Sequence, residues 1–269
     1  TKKIGFCMQN IEKLLNMLVK KYETVDFINN DPVQFPHLFD NYHDQEISAI
    51  ISSCLAYGKR DKIIECNKNV LKIMNFKPYE YVINFNNKKN YDDFSDFSYR
   101  YNTGKDLILL IISLQKVLRS YGSLKQLFLS NYSTTDYNIK HSLTCFVETL
   151  RGFVQTEKDL KGFNHLLPSP ANGSACKRLN LFLKWMVRQG PVDLNIWNEI
   201  PTNKLIIPLD THVARLSRKL NLTQRSVNDW KTAEEITENL KQFDPYDPVK
   251  YDFAIFGLGI NKEESIYLK

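Results

Sequence analysis

Apolar residues recur every three or four positions along most of the chain, a spacing that predicts amphipathic helices. One stretch, Leu107–Leu118, is almost wholly apolar and predicts a central helix. The other predicted helices are Ile11–Val19, Ile47–Leu55, Ile63–Met74, Leu143–Phe153, Ala175–Met186, Thr211–Leu220, Asp229–Phe243 and Pro248–Phe256. The pattern therefore predicts an all-α fold.

Strand signals are weak, and the organisation predicted is one domain of two helical lobes over residues 1–269. Leu205–Ile207 could form a short strand between two prolines. Asn84–Arg100 is polar and aromatic, which predicts an exposed loop with one helical turn. One lobe is an N-terminal helical block and the other contains the candidate reactive residues. The boundary can be non-sequential, with the N-terminal helix packing on the C-terminal ones.

Composition is that of an ordinary globular protein, with 43% hydrophobic and 25% charged residues in a chain of 269. The net charge of +6 favours a polyanionic partner, although many cytosolic proteins are as basic. The five cysteines are odd in number and form no C-x-x-C pair, which argues against a disulfide framework or a metal cluster. No apolar run reaches the ~20 residues that a bilayer needs. We expect reduced thiols, no membrane contact and a cytoplasmic protein.

Lys177 lies in the segment Asn172-Gly-Ser-Ala-Cys-Lys177, near the start of a predicted helix. Gly173-Ser174 is expected to begin that helix, with Ser174 as its N-cap. In the first helical turn the positive end of the helix dipole disfavours an ammonium ion. A neutral lysine amine is a nucleophile that can attack a sugar carbon. The alternative is a solvated lysine beside Arg178.

Asp210 precedes Thr211, where the next apolar-periodic segment begins. An N-cap role explains this position by itself. Paired with a lysine nucleophile, the carboxylate would also stabilise a cation formed at the attacked carbon. Together, the two residues predict chemistry on a nucleoside.

The quoted segments resemble the helix-hairpin-helix DNA glycosylase superfamily, to which endonuclease III belongs. The resemblance is carried by Leu166-Leu-Pro168, Gly173-Ser-Ala-Cys-Lys177 and Pro208-Leu-Asp-Thr-His-Val213. Ser174–Arg188 and Asp247–Ala254 are most similar to archaeal GO glycosylases, which remove 8-oxoguanine, and to a related bacterial family of uncharacterised proteins. The specific part covers residues 160–260. The glycosylase Gly-x-Gly hairpin turn is replaced by Pro168-Ser-Pro-Ala-Asn-Gly173, and the four-cysteine cluster motif of endonuclease III is missing.

The resemblance implies a two-lobed glycosylase fold with a helix-hairpin-helix-like element. It implies that Lys177 attacks C1′ of a damaged nucleotide and that Asp210 activates the lysine and stabilises the sugar cation. A Schiff base would then permit strand cleavage, with oxidised guanine as the expected substrate. The partner would be damaged double-stranded DNA, the protein a monomer, and no cofactor would be required.

Further residues are candidates for DNA contact. Tyr57-Gly-Lys-Arg60 follows a predicted helix where the family places its probing loop, so Tyr57 would fill the gap and Lys59 and Arg60 would meet phosphates. The alternative is a helix C-terminus whose cations complement the dipole. Other candidate phosphate contacts are Asn172, Gly173, Ser174, Arg215 and Arg218.

A base pocket is predicted from Trp185, Trp230 and Asp252, with core packing as the alternative for either tryptophan and solvation for the aspartate. Arg178, Lys184 and Arg188 are expected only to solvate their helix, and His212 to stabilise a helix start. Two rival functions remain: a non-enzymatic DNA-binding protein of the same fold, and a helical protein-interaction scaffold.

Overall fold

The computed structural model describes residues 8–268, and helices dominate them, which confirms the all-α class. The α-helices are α1 (Met8–Tyr22), α2 (Val25–Ile28), α3 (Tyr42–Cys54), α4 (Arg60–Ile73), α5 (Pro78–Asn84), α6 (Asn87–Asn90), α7 (Gly104–Tyr121), α8 (Leu124–Leu129), α9 (Lys140–Gly152), α10 (Lys161–Leu166), α11 (Lys177–Val187), α12 (Thr211–Lys219), α13 (Trp230–Lys241), α14 (Tyr251–Ile260) and α15 (Glu264–Tyr267). Single 3-10 turns lie at Pro32–Gln34, Pro36–Leu38, Tyr91–Phe94, Pro170–Asn172, Thr202–Lys204 and Pro248–Lys250.

Regular strand is confined, within the described residues, to β1 (Ser98–Tyr99) and β2 (Asn102–Thr103). They pair antiparallel, with Tyr99 opposite Asn102. The strand expected at Leu205–Ile207 is wrong: this segment is buried but has no strand partner, and the N–H of Ile207 donates to the Thr237 hydroxyl at 3.0 Å. The loop expected over residues 84–100 instead contains α6, a 3-10 turn and β1.

The chain divides into two compact units. The first, here called the central unit, is residues 30–172. The second, the terminal unit, has as its described parts residues 8–29 and 173–268. Across residues 8–268, no helix combines the length and apolarity of a bilayer-spanning segment.

The core of the central unit is α7, which packs against α5, α8, α9 and α10. A capping box between Thr103 and Asp106 fixes its start. Along its length, the buried Gln115 amide donates to the carbonyls at the end of α5. The fully buried Glu46 carboxylate accepts the N–H groups that begin α8. Gln115 and Glu46 therefore satisfy backbone groups at the ends of neighbouring helices.

The terminal unit is built around α14, which packs against α1 and α12. Gly257 allows the close approach of α1, because a Cβ there would lie 2.4 Å from the Tyr22 ring. α11 is buried from Arg178 to Val187 except at the half-buried Leu181. α11 therefore has almost no solvent-facing side.

The cysteines fit the expectation of reduced, mostly buried thiols. Cys54, Cys66 and Cys176 are buried and Cys145 is half-buried, and all four are free thiols. Burial raises the pKa of the Cys66 thiol to about 12. Cys7 lies outside the described residues.

Candidate active site

Lys177 is the first residue of α11, so its predicted place in the first helical turn is confirmed. The predicted helix start at Ser174 is wrong. Cys176 precedes the helix with a φ of +47°, a left-handed conformation that interrupts helical geometry between residues 174 and 177. The Ser174 hydroxyl instead accepts the N–H of Cys176 at 3.2 Å. The Lys177 side chain is half-buried.

The turn that leads into Lys177 is held by the start of α13. The N–H of Trp230 donates to the Gly173 carbonyl at 3.0 Å, and Ser174 forms an isolated bridge with Asp229. Gly173 adopts a φ of +76°, which glycine tolerates without strain. These bonds fix the backbone conformation just before Lys177, the candidate nucleophile.

Asp210 is the N-cap of α12, as the sequence predicts. Its Oδ1 accepts the N–H of Val213 at 2.8 Å. The side chain is half-buried, and it follows the buried stretch Leu205–Leu209. Within residues 8–268, no hydrogen bond engages its Oδ2. The carboxylate can therefore cap the helix and still offer one oxygen to a reacting group.

The Asp252 carboxyl is affected by the charges of both candidate residues. It lies in the first turn of α14 and its residue is 8% exposed, so the solvated alternative is wrong. Burial raises the pKa of this carboxyl, the Asp210 carboxylate raises it further, and the cations of Lys184 and Lys177 oppose the rise. The charges of Lys177, at the start of α11, and of Asp210, at the N-cap of α12, thus both act on the Asp252 carboxyl.

Lys184, expected to solvate its helix, is buried. Its Nζ lies 3.2 Å from Asp252 Oδ2, 3.9 Å from Asp193 Oδ1 and 3.5 Å from the centroid of the Phe253 ring. The prediction is wrong because the ion-pair partners come from distant segments that periodicity cannot reveal. Lys184 is, however, the single polar residue of the run Leu181-Phe-Leu-Lys-Trp-Met-Val187, a local signal of a buried charge.

Arg188 and Arg178 are also buried rather than solvated. The Arg188 guanidinium donates to Asp247 at 2.9 Å and to Asp193 at 3.0 Å, and it also pairs with Glu23. Burial alone would lower the pKa of Arg188, but the hydrogen bond to Glu23 and the charges of Asp247 and Asp193 raise it overall. The network ties the end of α1 to the end of α11.

The two tryptophans expected in a base pocket are core residues. Trp185 and Trp230 are each 1% exposed. Buried rings offer no face on which a base could stack, so the core-packing alternative describes them better. Of the predicted pocket, Asp252 is the residue on which the charges of Lys177 and Asp210 act.

The two arginines of α12 are engaged within the protein. Arg218 donates to the carbonyls of Arg225 and Ser226 and to Asn228, so its guanidinium holds a loop instead of facing phosphates. Arg215, half exposed, forms a two-pronged ion pair with Glu264.

The predicted probing loop lies in the central unit, between α3 and α4. Tyr57 is anchored there: its hydroxyl lies 2.5 Å from Asn102 Oδ1, and its ring packs 5.0 Å from both the Tyr99 and His165 rings. A role in filling a gap in DNA is therefore not supported for Tyr57. Lys59 is exposed, and Arg60 begins α4 rather than ending α3, so the helix C-terminus alternative is wrong.

Asn172 and Gly173 are exposed at the surface, whereas Ser174 is half-buried. Asn172 ends a 3-10 turn in the central unit, while the other two residues belong to the terminal unit. Among residues 8–268, no group of three or more His, Cys, Asp or Glu side chains is arranged to hold a metal ion.

A family model described as "Protein of unknown function (DUF2400)" matches residues 31–261, which is most of the chain. The protein belongs to the DUF2400 family. Comparison with curated proteins gave no match, and comparison with solved structures gave none either.

The DUF2400 match includes every candidate residue of the terminal unit and the whole α3–α4 connection. Lys177, Asp210, Asp252 and Lys184 therefore lie inside the family's shared region. Glu23, the partner of Arg188 on α1, lies before its start.

Proposed function

We propose that this DUF2400 protein is a DNA base-excision glycosylase with an associated lyase activity, of the two-lobed helix-hairpin-helix type. The proposed substrate is a damaged base in double-stranded DNA, with oxidised guanine first. The observation that carries the proposal is that Lys177 begins α11 while Asp210 caps α12 through one carboxylate oxygen, which leaves its other oxygen for a reacting group. The sequence resemblance to glycosylases supports the same pair.

Lys177 is the proposed nucleophile. Its Nζ attacks C1′ of the damaged nucleotide and gives up a proton to the Asp210 carboxylate, while the bond from C1′ to the base nitrogen breaks with its electron pair leaving on the base. Opening of the sugar ring gives a Schiff base between Nζ and C1′. Loss of a proton from C2′ then expels the 3′ phosphate, and water releases the lysine.

Asp210 is the proposed electrostatic partner. As the C1′ bond to the base lengthens, positive charge develops on the sugar, and a nearby carboxylate stabilises it. The cap to Val213 fixes the orientation of Asp210 before substrate arrives. Such preorganisation is the main way in which enzymes lower the free energy of transition states that carry charge.

The position of Lys177 at a helix start suits its role. The N-terminal turn of α11, which begins at Lys177, presents the positive end of a helix dipole. The same end attracts a phosphate group of the bound strand. Substrate phosphate and reactive amine would then meet at one helix start.

Cleavage of lesion-containing duplexes tests this proposal. A duplex with 8-oxoguanine opposite each normal base, and duplexes with other oxidised bases, would be incubated with the protein and with Lys177→Gln. Lys140→Gln is the matched control, because Lys140 is likewise the first residue of a helix but is exposed. We expect strand cleavage by the unchanged protein and the control, and none by Lys177→Gln. DNA binding without cleavage on every duplex would contradict catalysis and favour a non-enzymatic DNA-binding protein.

A further inference from the structure

The tip of the β-hairpin in the central unit carries an exposed aromatic residue and an exposed cation. Arg100 and Tyr101 form the two-residue loop between β1 and β2. Tyr101 is 70% exposed, and the Arg100 guanidinium carbon lies 6.0 Å from the centroid of its ring. The ring is therefore accessible to a binding partner.

The backbone at this tip is strained for the residue it carries. Arg100 has a φ of +55°, at the first position of a two-residue hairpin loop, where glycine is favoured. An arginine there has an energetic cost that glycine would avoid. Such departures cluster where a side chain is needed for binding.

A hydrogen-bonded layer supports the tip from below. Asn102 Oδ1 lies 2.5 Å from the Tyr57 hydroxyl and 3.2 Å from His165 Nδ1, and Asn102 Nδ2 donates to the Gly162 carbonyl at 2.7 Å. The Tyr101 ring packs with its centroid 5.5 Å from that of His165. Tyr57 is thus part of the support, and Tyr101 is the ring that faces solvent.

The Arg100 side chain lies against a segment that carries two more cations. A Cβ on Gly58 would lie only 2.9 Å from Arg100 Nη1, so the glycine lets the guanidinium lie against the α3–α4 connection. Lys59, the next residue, is exposed, and Arg60 is half-buried at the start of α4. They outnumber the adjacent Asp61, so this edge of the unit favours an anionic partner.

We propose that Lys59, Arg60, Arg100 and Tyr101, here called the hairpin-tip surface, bind DNA. Tyr101 stacks on a base that is unpaired or out of the helical stack, and the cations contact the phosphates beside it. An aromatic face next to cations fits a nucleic acid, which offers flat bases and phosphates together, better than an acidic peptide, which offers charge alone. The surface needs no reaction at Lys177, so it stands independently of the glycosylase proposal.

Binding of labelled oligonucleotides to Tyr101→Ala tests this assignment. Fluorescence anisotropy would compare a single strand, a matched duplex and a duplex with a central mismatch. We expect Tyr101→Ala to weaken single-strand and mismatch binding about 10-fold, with a smaller loss on the matched duplex. Tyr101→Phe keeps the ring and should bind as the unchanged protein does. Tyr137→Ala removes a comparably exposed tyrosine, at 64%, from the same unit and should change nothing.

Arg100→Gly separates binding from folding. Glycine relieves the positive φ, so the thermal midpoint should stay level or rise, while loss of a phosphate contact should reduce the slope of log affinity against log salt by about 1. A fall in both stability and affinity would instead assign Arg100 a structural role and overturn its part in the surface.

The outcomes distinguish the two proposals. Unchanged DNA affinity in Tyr101→Ala, or an equal loss in Tyr137→Ala, overturns the hairpin-tip surface whatever Lys177 does. Weakened binding in Tyr101→Ala without any cleavage of lesion duplexes supports the surface and contradicts the glycosylase. Polyglutamate that competes as well as single-stranded DNA at equal charge would show a general anion site and overturn the nucleic-acid assignment.

Discussion

Lys184 and Asp252 form a buried ion pair in which Nζ lies 3.2 Å from Oδ2. The lysine side chain is 2% exposed and the aspartate side chain 11%. The pair joins α11, which begins at Lys177, to the start of α14. The charges of both candidate reactive residues, Lys177 and Asp210, also act on the Asp252 carboxyl. It therefore connects the proposed site to the core of the terminal unit.

Lys184→Met should destabilise the protein by about 3–5 kcal/mol at neutral pH, because it leaves buried carboxylates without their counter-charge. Urea unfolding measures the loss. The double variant Lys184→Met with Asp252→Leu removes one of those carboxylates and should recover part of it. A cost below ~1 kcal/mol for Lys184→Met would contradict the buried pair.

The loss in Lys184→Met should shrink as pH falls. Burial raises the pKa of Asp252 and of Asp193, and the Lys184 charge opposes both rises. A carboxyl whose pKa is higher in the folded than in the unfolded chain binds more protons when folded, so its ionisation penalty is full above the folded pKa and disappears as pH falls from the folded to the unfolded pKa. Unfolding in mildly acidic and neutral buffer checks this direction; a pH-independent loss would contradict it.

Asp210→Asn should separate capping from chemistry. Asparagine caps helices about as well as aspartate, so Asp210→Asn should leave stability nearly unchanged, whereas Asp210→Ala should cost about 1 kcal/mol. Both remove the charge proposed to stabilise the sugar cation, so both should lose strand cleavage. Thermal melts and the lesion-cleavage assay provide the two measurements. Full cleavage by Asp210→Asn would restrict Asp210 to a structural role.

Gly190→Ala should disturb the Arg188 network. An added Cβ would lie 2.6 Å from Glu23 Oε1 and 2.7 Å from Arg188 Nη1, so these buried groups must move. We expect a loss of about 1–3 kcal/mol in urea unfolding. Gly152→Ala is the control: its Cβ meets nothing within 4 Å at the end of α9, and alanine there should stabilise by about 0.4–1 kcal/mol. Equal effects at both sites would contradict the close packing around Arg188.

Glu264→Gln should reduce stability at neutral pH by about 1 kcal/mol, and less in high salt. Hydrogen bonds from Arg215 and Lys219 lower the pKa of Glu264 to about 2. A carboxylate with a depressed folded pKa stabilises the protein above its unfolded pKa, and this contribution is lost as pH falls towards 2. Glu65→Gln breaks an exposed pair on α4 and should have almost no effect. Thermal midpoints across pH and salt measure both variants.

The helices and the places of Lys177 and Asp210 could be predicted because local rules determine them. Apolar periodicity located α7, and side-chain capping located the start of α12 at Asp210. The predicted start of α11 is wrong because Cys176 has a left-handed backbone conformation, which amino-acid composition does not predict for a cysteine.

The buried charges could not be predicted from helical spacing. Lys184 and Asp252 are far apart in the chain, and the helical spacing around neither residue identifies its partner. Tyr57 was misassigned for the same reason, since its anchors, Asn102 and His165, come from distant segments. Which polar side chains are buried depends on contacts between segments that are far apart in the chain. The periodicity of a single sequence does not show those contacts.

Borohydride trapping on a duplex with an abasic site tests the central claim most directly, because the reductant fixes a Schiff base as a stable amine. We expect a covalent protein–DNA adduct that peptide mass spectrometry locates on Lys177, that Lys177→Gln abolishes and that Lys140→Gln retains. Absence of any adduct, or an adduct located on another lysine, would contradict the assignment of Lys177 as the nucleophile.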